Sequence, residues 1–342
     1  MPDVAESAMA ARLKPRWEAR LDDCVSALAW SPDGRQLTAA GLDGPIRLFE
    51  ASTGRVTATL AGHAQGTLTL AWRPDGTALA SGGQDGMVRW WDAGSDRQLA
   101  EGKGGAGWVE HMQWHSTGKL LATAAGKSLR FWDAPGKLSR ECADHASTIA
   151  GLAWRPDGGM RLITVAYGGA TLWNPERVEP VRRLPWKGSS LSLAWSPDGK
   201  YLAAGQQDGC VHLWITKNGE DLEMSGFPTK VRALAWDATS RWLATDGSAT
   251  VCLWDCSGKG PARRRPVQLE AHQDLVSALA FQPVGDSLAS GGADGRVFLW
   301  RLGNSEQPLG MLEAGSPVAK LAWKPDGKQV AVGTEDGKVA VL

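Results

Sequence analysis

The stretch LTLAWRPDGTALASGGQDGMVRWWD, from Leu68 to Asp92, decides the fold of this chain. Leu68, Leu70 and Trp72 alternate with small residues, the period-two pattern of a half-buried strand. Pro74-Asp75-Gly76 then makes a turn, because Pro presets φ at about −65° and Gly accepts the positive φ that ends a hairpin loop. A second run from Ala78 to Ser81 leads to another hairpin signal at Asp85-Gly86, and Met87 to Trp91 is again strand-like. Three antiparallel strands are spelled out.

The same phrase recurs along the whole chain. Its first aromatic returns as Trp30, Trp72, Trp114, Trp154, Trp195, Trp236, Phe281 and Trp323, at spacings of 42, 42, 40, 41, 41, 45 and 42. Its second aromatic returns as Phe49, Trp91, Trp132, Trp173, Trp214, Trp254 and Trp300. These two columns hold 13 of the 18 tryptophans, so the aromatic excess is a packing device and not a cofactor box. A period of this length, kept through eight units, is the mark of a repeat architecture.

With the Gly62-His63, Asp144-His145 and Ala271-His272 pairs before first strands, and the Trp-Asp endings at Trp91, Trp132 and Trp254, the chain resembles the WD40-repeat β-propeller family. The resemblance runs from about residue 16 to the end and implies an all-β propeller of four-stranded antiparallel blades around a channel. Residues 1–15 are expected to be a flexible segment and 16–342 a single propeller. The eighth unit ends without a fourth strand, while KPRWEARLDD, Lys14 to Asp23, reads as an orphan strand with Trp17, Ala19 and Leu21 on one face. Pairing it with Val339 to Leu342 closes the ring and covers an exposed edge. Eight blades are therefore expected; the alternative is seven blades plus an irregular unit.

The resemblance also implies a buried hydrogen-bonded set of loop His, second-strand Ser, turn Asp and third-strand Trp. The complete set occurs in unit two as His63, Ser81, Asp85 and Trp91, and in unit seven as His272, Ser290, Asp294 and Trp300. Its recurrence in separate units argues for structure over a hydrolase triad, which needs one accessible nucleophile beside an oxyanion hole. No catalytic residue is expected. Cys210, His212, Cys252 and Cys256 fall on neighbouring third strands, but a Cys-x-x-x-Cys on an extended strand spans about 13 Å, too far for one zinc unless the chain bends. They are expected to pack as small apolar residues, with metal binding left open, and no cofactor is implied.

Function is then sought where the units disagree. In propellers of this type the first-strand entrances and the hairpins before the turn Asp rim the narrower face of the channel, where partners dock. At these columns Trp108, Tyr167, Lys230 and Arg232 stand out against small residues, with Glu110, Gln207 and Glu335 as a polar rim. Aromatic and Arg side chains dominate interface hot spots, so these are the expected partner contacts. Arg263, Arg264 and Arg265, in a loop bounded by Pro261 and Pro266, form a secondary docking candidate. The other first-strand residues are mostly Ser, Thr, Ala and Leu, which disfavours the alternative of a small-ligand or metal-ion site in the channel.

Composition agrees with a non-enzymatic protein scaffold. Lys plus Arg equals Asp plus Glu at 37 each, so no global field attracts nucleic acid or an anionic membrane. Five cysteines without disulfide spacing suit a reducing compartment, and no apolar leader or long apolar run is present, so a cytoplasmic location is expected.

Overall fold

A computed structural model describes residues 10–142, 145–177, 179–258, 260–262, 264–303 and 306–342. In unit one, Val25–Trp30, Gln36–Gly41, Ile46–Glu50 and Val56–Leu60 pair antiparallel in chain order. Units two, three and six repeat that arrangement. Successive first strands touch one another in sequence order, and Val318–Trp323 of unit eight returns to Val25–Trp30 of unit one. The sheets thus radiate from a ring of first strands.

Apolar clusters fill the wedges between neighbouring units. Ile46, Leu48 and Leu60 of unit one meet Trp72, Leu79 and Trp91 of unit two. At the other end of the chain, Val297 and Leu312 of unit seven meet Val318, Val332 and Ala340 of unit eight. The first-column tryptophans add a polar stitch to this packing. Trp30 Nε1 donates to Ala322 O at 2.9 Å, Trp114 to Ala71 O at 3.1 Å, Trp154 to Gln113 O at 3.0 Å, Trp236 to Ala194 O at 3.2 Å and Trp323 to Ala280 O at 2.8 Å. Each bond crosses from one unit to the one before it, and satisfies an indole N–H that burial removes from water.

The expectation of eight separate blades is corrected. The described strands form seven sheets, because units four and five share one continuous sheet of six strands. Within it, Leu162–Trp173 pairs both with Gly151–Trp154 and with Arg182–Trp195, and the latter runs on to pair with Tyr201–Gln206. The alternative of seven blades with an irregular unit is the one that fits. Two local causes are visible. Unit four has Gly168 at the turn position, as unit three has Gly126, but a second glycine follows it, and the strand bends through Gly168 and Gly169, at φ 97° and 120°, without a tight turn. The connector Trp186-Lys187-Gly188-Ser189 also stays extended, inside the unbroken strand Arg182–Trp195 that becomes the first strand of unit five. The joined sheet is folded across its middle, and Ile163, Val165 and Leu184 pack on Leu202, Ala204 and Trp214.

Ring closure uses the start of the chain. Trp17–Arg20 pairs antiparallel with Lys338–Val341, Trp17 opposite Val341 and Arg20 opposite Lys338. Trp17 is buried, lies 5.7 Å centroid to centroid from Phe49, and donates from Nε1 to Ala51 O at 2.9 Å. One side chain therefore joins units eight and one. Gly54, at φ 72°, provides the room, since a Cβ there would sit 2.5 Å from the Trp17 ring. Ahead of this strand, Ala11–Arg12 adds a parallel pair with Gly310 and Met311 of unit seven.

The polar sets act as struts between loop and strand. In unit two, His63 places Nδ1 2.9 Å from Asp85 Oδ1 and Nε2 2.7 Å from Ser81 Oγ, which also accepts from Trp91 Nε1 at 2.8 Å. In unit seven, His272 reaches Asp294 at 3.1 Å and Ser290 Oγ at 2.9 Å, and Trp300 Nε1 donates to the same hydroxyl at 2.8 Å. Unit four keeps a shorter version, His145 to Thr164 Oγ1 at 2.7 Å with Trp173 donating at 2.9 Å, which its lack of a turn Asp conceals in the sequence. Burial holds His63 and His272 below the usual imidazole range despite their Asp partners.

Two outcomes test this architecture. Trp17→Ala removes both the indole bond and the seam packing, and is expected to lower unfolding free energy by about 3–5 kcal/mol in a denaturant titration; a loss below about 1 kcal/mol would show that the ring does not depend on this seam. The second concerns pH. Buried His63 and His272 are shifted down, and His111 and His212 fall from 6.5 to about 4, so the unfolded chain binds protons first. Stability should be level above pH 6.5 and decline as pH falls from there toward 4. Asp246, raised to about 6 by burial, takes its proton first in the folded state and offsets part of that decline. Melting temperatures recorded across this window, and their flatter dependence in His212→Phe, are the check; an unchanged melting temperature across it contradicts the assignment.

Candidate protein-docking face

The rim of first-strand entrances and second hairpins is held by one repeated backbone bond. The residue before the turn position donates its N–H to the entrance of its own unit: Leu42 to Cys24 O, Gln84 to Gly66 O, Gln207 to Ser189 O, Ala293 to Leu275 O and Glu335 to Pro317 O, at 2.8 to 3.1 Å. Entrance and hairpin columns therefore lie side by side on one face. Neighbouring units are linked there too, since Ile149 N donates to Gly126 O and Val231 N to Gln206 O.

These links arrange most of the expected contacts along an arc. Trp108 enters unit three beside the Gly126 turn, which reaches Ile149 of unit four. Tyr167, in the unit-four hairpin, is anchored by its N–H on Ser147 Oγ at 2.9 Å and stands opposite Ser189 in register. Ser189 holds Gln207, and the neighbouring Gln206 holds Val231 between Lys230 and Arg232. Trp108 and Tyr167 are 52% and 63% exposed, so two large rings face solvent on adjacent units. Gln207, Lys230 and Arg232 are also exposed. Glu110, two residues beyond Trp108, is held above the usual carboxylate range by burial of its headgroup. Glu335 lies away from the arc, on unit eight beside Cys24 of unit one. Sequence reading omitted two apolar members of the same rim, Leu42 and Leu275, because Leu is common in every strand of this chain.

Arg232 owes its place to a carboxylate that the repeat pattern does not announce. Asp246 is buried at the end of Trp242–Asp246 and accepts from the N–H groups of Arg232 and Ala233 at 3.1 and 3.2 Å. It pins the unit-six entrance where no loop His is present. The rim side chains project from a backbone fixed by such internal bonds.

The remaining candidates are differently placed. Arg263 lies outside the described residues. Arg264 pairs with Asp255 at 3.1 Å and donates to Ser257 Oγ at 3.1 Å, so its charge is engaged within the outer part of unit six, while Arg265 is exposed. Cys210, Cys252 and Cys256 are buried thiols whose pKa values burial pushes up to about 12, 11 and 12. Metal ligation requires thiolates, and no group of three metal-ligating side chains occurs among the described residues. His212 is buried in a stack on Trp186, 3.7 Å between centroids, with its Nε2 3.3 Å from Asp221. The eight residues of the two complete struts are internal, with the Ser and His side chains sealed from solvent. No described helix is long and apolar enough to cross a membrane.

Comparison with known proteins agrees with this geometry. The WD domain, G-beta repeat model matches residues 54–92, 97–133, 179–214, 222–255, 264–301 and 306–341, and the anaphase-promoting complex subunit 4 WD40 domain model matches 11–68. Periodic tryptophan protein 2 homolog of Neurospora crassa is 37% identical over 73 residues, 21% of this chain and 8% of that protein. THO complex subunit 3 of Arabidopsis thaliana is 30% identical over 96 residues, 27% of this chain and 30% of that protein. Actin-interacting protein 1 of Drosophila melanogaster is 39% identical over 77 residues, 21% of this chain and 12% of that protein. The aligned stretches thus span less than a third of these relatives. Among solved structures, the computationally designed Ika8 protein superposes with a TM-score of 0.81 at 23% identity, over 94% of this chain and 96% of that one, a likeness of fold alone. Repeat period, strut chemistry and matched repeats over most of the sequence agree, and the chain belongs to the WD40-repeat β-propeller family.

Proposed function

We propose that this propeller is a non-enzymatic scaffold that docks a partner protein or peptide on the rim bearing Trp108, Tyr167, Lys230 and Arg232. WD40 propellers are typically protein-interaction scaffolds, and no residue set assembled above has the chemistry of a nucleophile, base and oxyanion hole. The observation that carries the reading is the exposure of Trp108 and Tyr167 on adjacent units of one face. Large rings left in water on a rigid backbone are what a partner covers with most gain, since they lose little conformational freedom on binding.

The polar residues define the kind of partner. Lys230 and Arg232 supply positive charge at one end of the arc, and Glu110 a carboxylate at the other. A segment that places an apolar residue over the two rings and an acidic residue toward unit six satisfies both ends. Gln207 lies between them as a hydrogen-bonding group at the edge. Five cysteines, four of them buried, fit a reducing, cytoplasmic setting.

The test compares quantitative capture by the wild type and by a Trp108→Ala, Lys230→Glu, Arg232→Glu variant of unchanged melting temperature. A stoichiometric partner held by the wild type should be lost by the variant, and Trp108→Ala alone should weaken it by about 2 kcal/mol or more, roughly thirtyfold in Kd. Undiminished capture by the triple variant removes this face from the reading.

A further inference from the structure

The central channel carries a charge that no protein group balances. Three positions before the first-column aromatic, six units have Ala, Thr, Gly or Ser, while units three and eight have His111 and Lys320. Both follow the irregularity at the start of their strands, His111 opposite Ala124 and Lys320 opposite Gly333. The two strands belong to the ring of first strands, three units apart, so these side chains come to the channel from different walls. The expectation of a bland channel, drawn from the prevalence of small residues, overlooks this pair.

Electrostatics agrees with this placement. The Lys320 ammonium helps hold His111 at about 4, after burial, and it acts in the same direction on the Cys24 thiol of unit one. Its charge therefore reaches both sides of the channel. Lys320 is exposed to channel solvent but its surroundings strip enough water to lower its pKa. The nearby carboxylates do not compensate. Glu110 is shifted by burial alone and Glu335 acts on Cys24, while the group that acts on Lys320 is Cys24 itself, a thiol that burial keeps protonated. Lys320 forms no ion pair or hydrogen bond through its side chain among the described residues.

An ammonium poorly hydrated and without a counter-charge is stabilised by any anion small enough to reach it. A neutral imidazole on the facing wall adds an N–H donor without adding charge. The small residues at the intervening positions leave the space. We propose that the channel between Lys320 and His111 binds a small oxyanion, a phosphate or a carboxylate, through the lysine ammonium and the imidazole N–H.

Imidazole NMR of the full chain gives a direct test, with His111→Gln identifying the resonance among the six histidines. Titration with inorganic phosphate, and separately with acetate, is expected to move the His111 signals along a saturable curve. Lys320→Met should weaken that response at least tenfold, while Lys320→Arg and Trp108→Ala leave it within twofold. Saturation by phosphate alone or by acetate alone assigns the anion. A linear, non-saturating response to both anions in the wild type overturns the proposal, as does an equal response in Lys320→Met. Because Trp108→Ala keeps the channel response, failure of the docking face and failure of this site are read separately. Should Lys320→Met not fold, the wild-type curve and the Lys320→Arg curve still decide.

Discussion

A tryptophan N–H reaching a backbone carbonyl in the preceding unit is the interaction on which the rest depends. The acceptor is the residue immediately before the preceding first-column aromatic, Ala71 for Trp114 and Ala280 for Trp323. That position is Ala in every unit except three, where Gln113 takes it and its carbonyl still accepts from Trp154 at 3.0 Å. Each bond is worth only about 1 kcal/mol net, but its loss would leave a buried donor unpaired. Repeated round the ring, it fixes the angle between sheets as well as their separation. The bond from Trp30 to Ala322 extends the same stitch across the two ends of the chain.

Where this stitch is missing, the structure compensates locally. Trp195 of unit five is the informative case, since its Nε1 is buried without a partner. That unit is also the one whose first strand continues from the preceding sheet, so backbone pairing through Arg182–Trp195 supplies the connection that the indole does not. Struts and exposed rim side chains divide the ring in a related way. Units two and seven, with complete His-Ser-Asp-Trp sets, present Gly66 and Gln84, or Leu275 and Ala293, at the rim. Units three to six, with partial sets or none, present Trp108, Tyr167, Lys230 and Arg232. A loop His that packs inward fixes its entrance at the expense of variation; Gly126 or Asp246 fixes the entrance by backbone contacts and leaves the side chains to differ.

Most of the framework was legible because it is periodic. Aromatic columns and turn residues obey spacings that local chemistry explains, and the family resemblance they carry matched Ser81 and Ser290 to His63 and His272. The joining of units four and five was not legible, since unit three also lacks a turn Asp and units one, three, six and eight also lack a loop His without joining a neighbour. Partners distant in sequence were hidden for a different reason. Arg264 reads as part of a secondary docking loop, but the chain brings it back to Asp255. Lys320 and His111 occupy one column, yet a column dominated by Ala and Ser hides two exceptions until the ring is closed.

Closure ties the channel to the seam. Lys320 belongs to unit eight, and the neighbour whose thiol feels its charge, Cys24, belongs to unit one. The same pair of units is joined by Trp17 and by Arg47 with Asp22 at 2.8 Å, while Arg20 with Asp336, at 2.8 Å, braces the paired strands Trp17–Arg20 and Lys338–Val341 within unit eight. Surface pairs of this kind add little individually, so the buried indole carries the join. An unneutralised ammonium beside that join repels no neighbour strongly enough to open it, because the adjacent thiol is uncharged and burial raises its pKa further. The seam thus tolerates Lys320 because the group that feels its charge across the join is a neutral thiol.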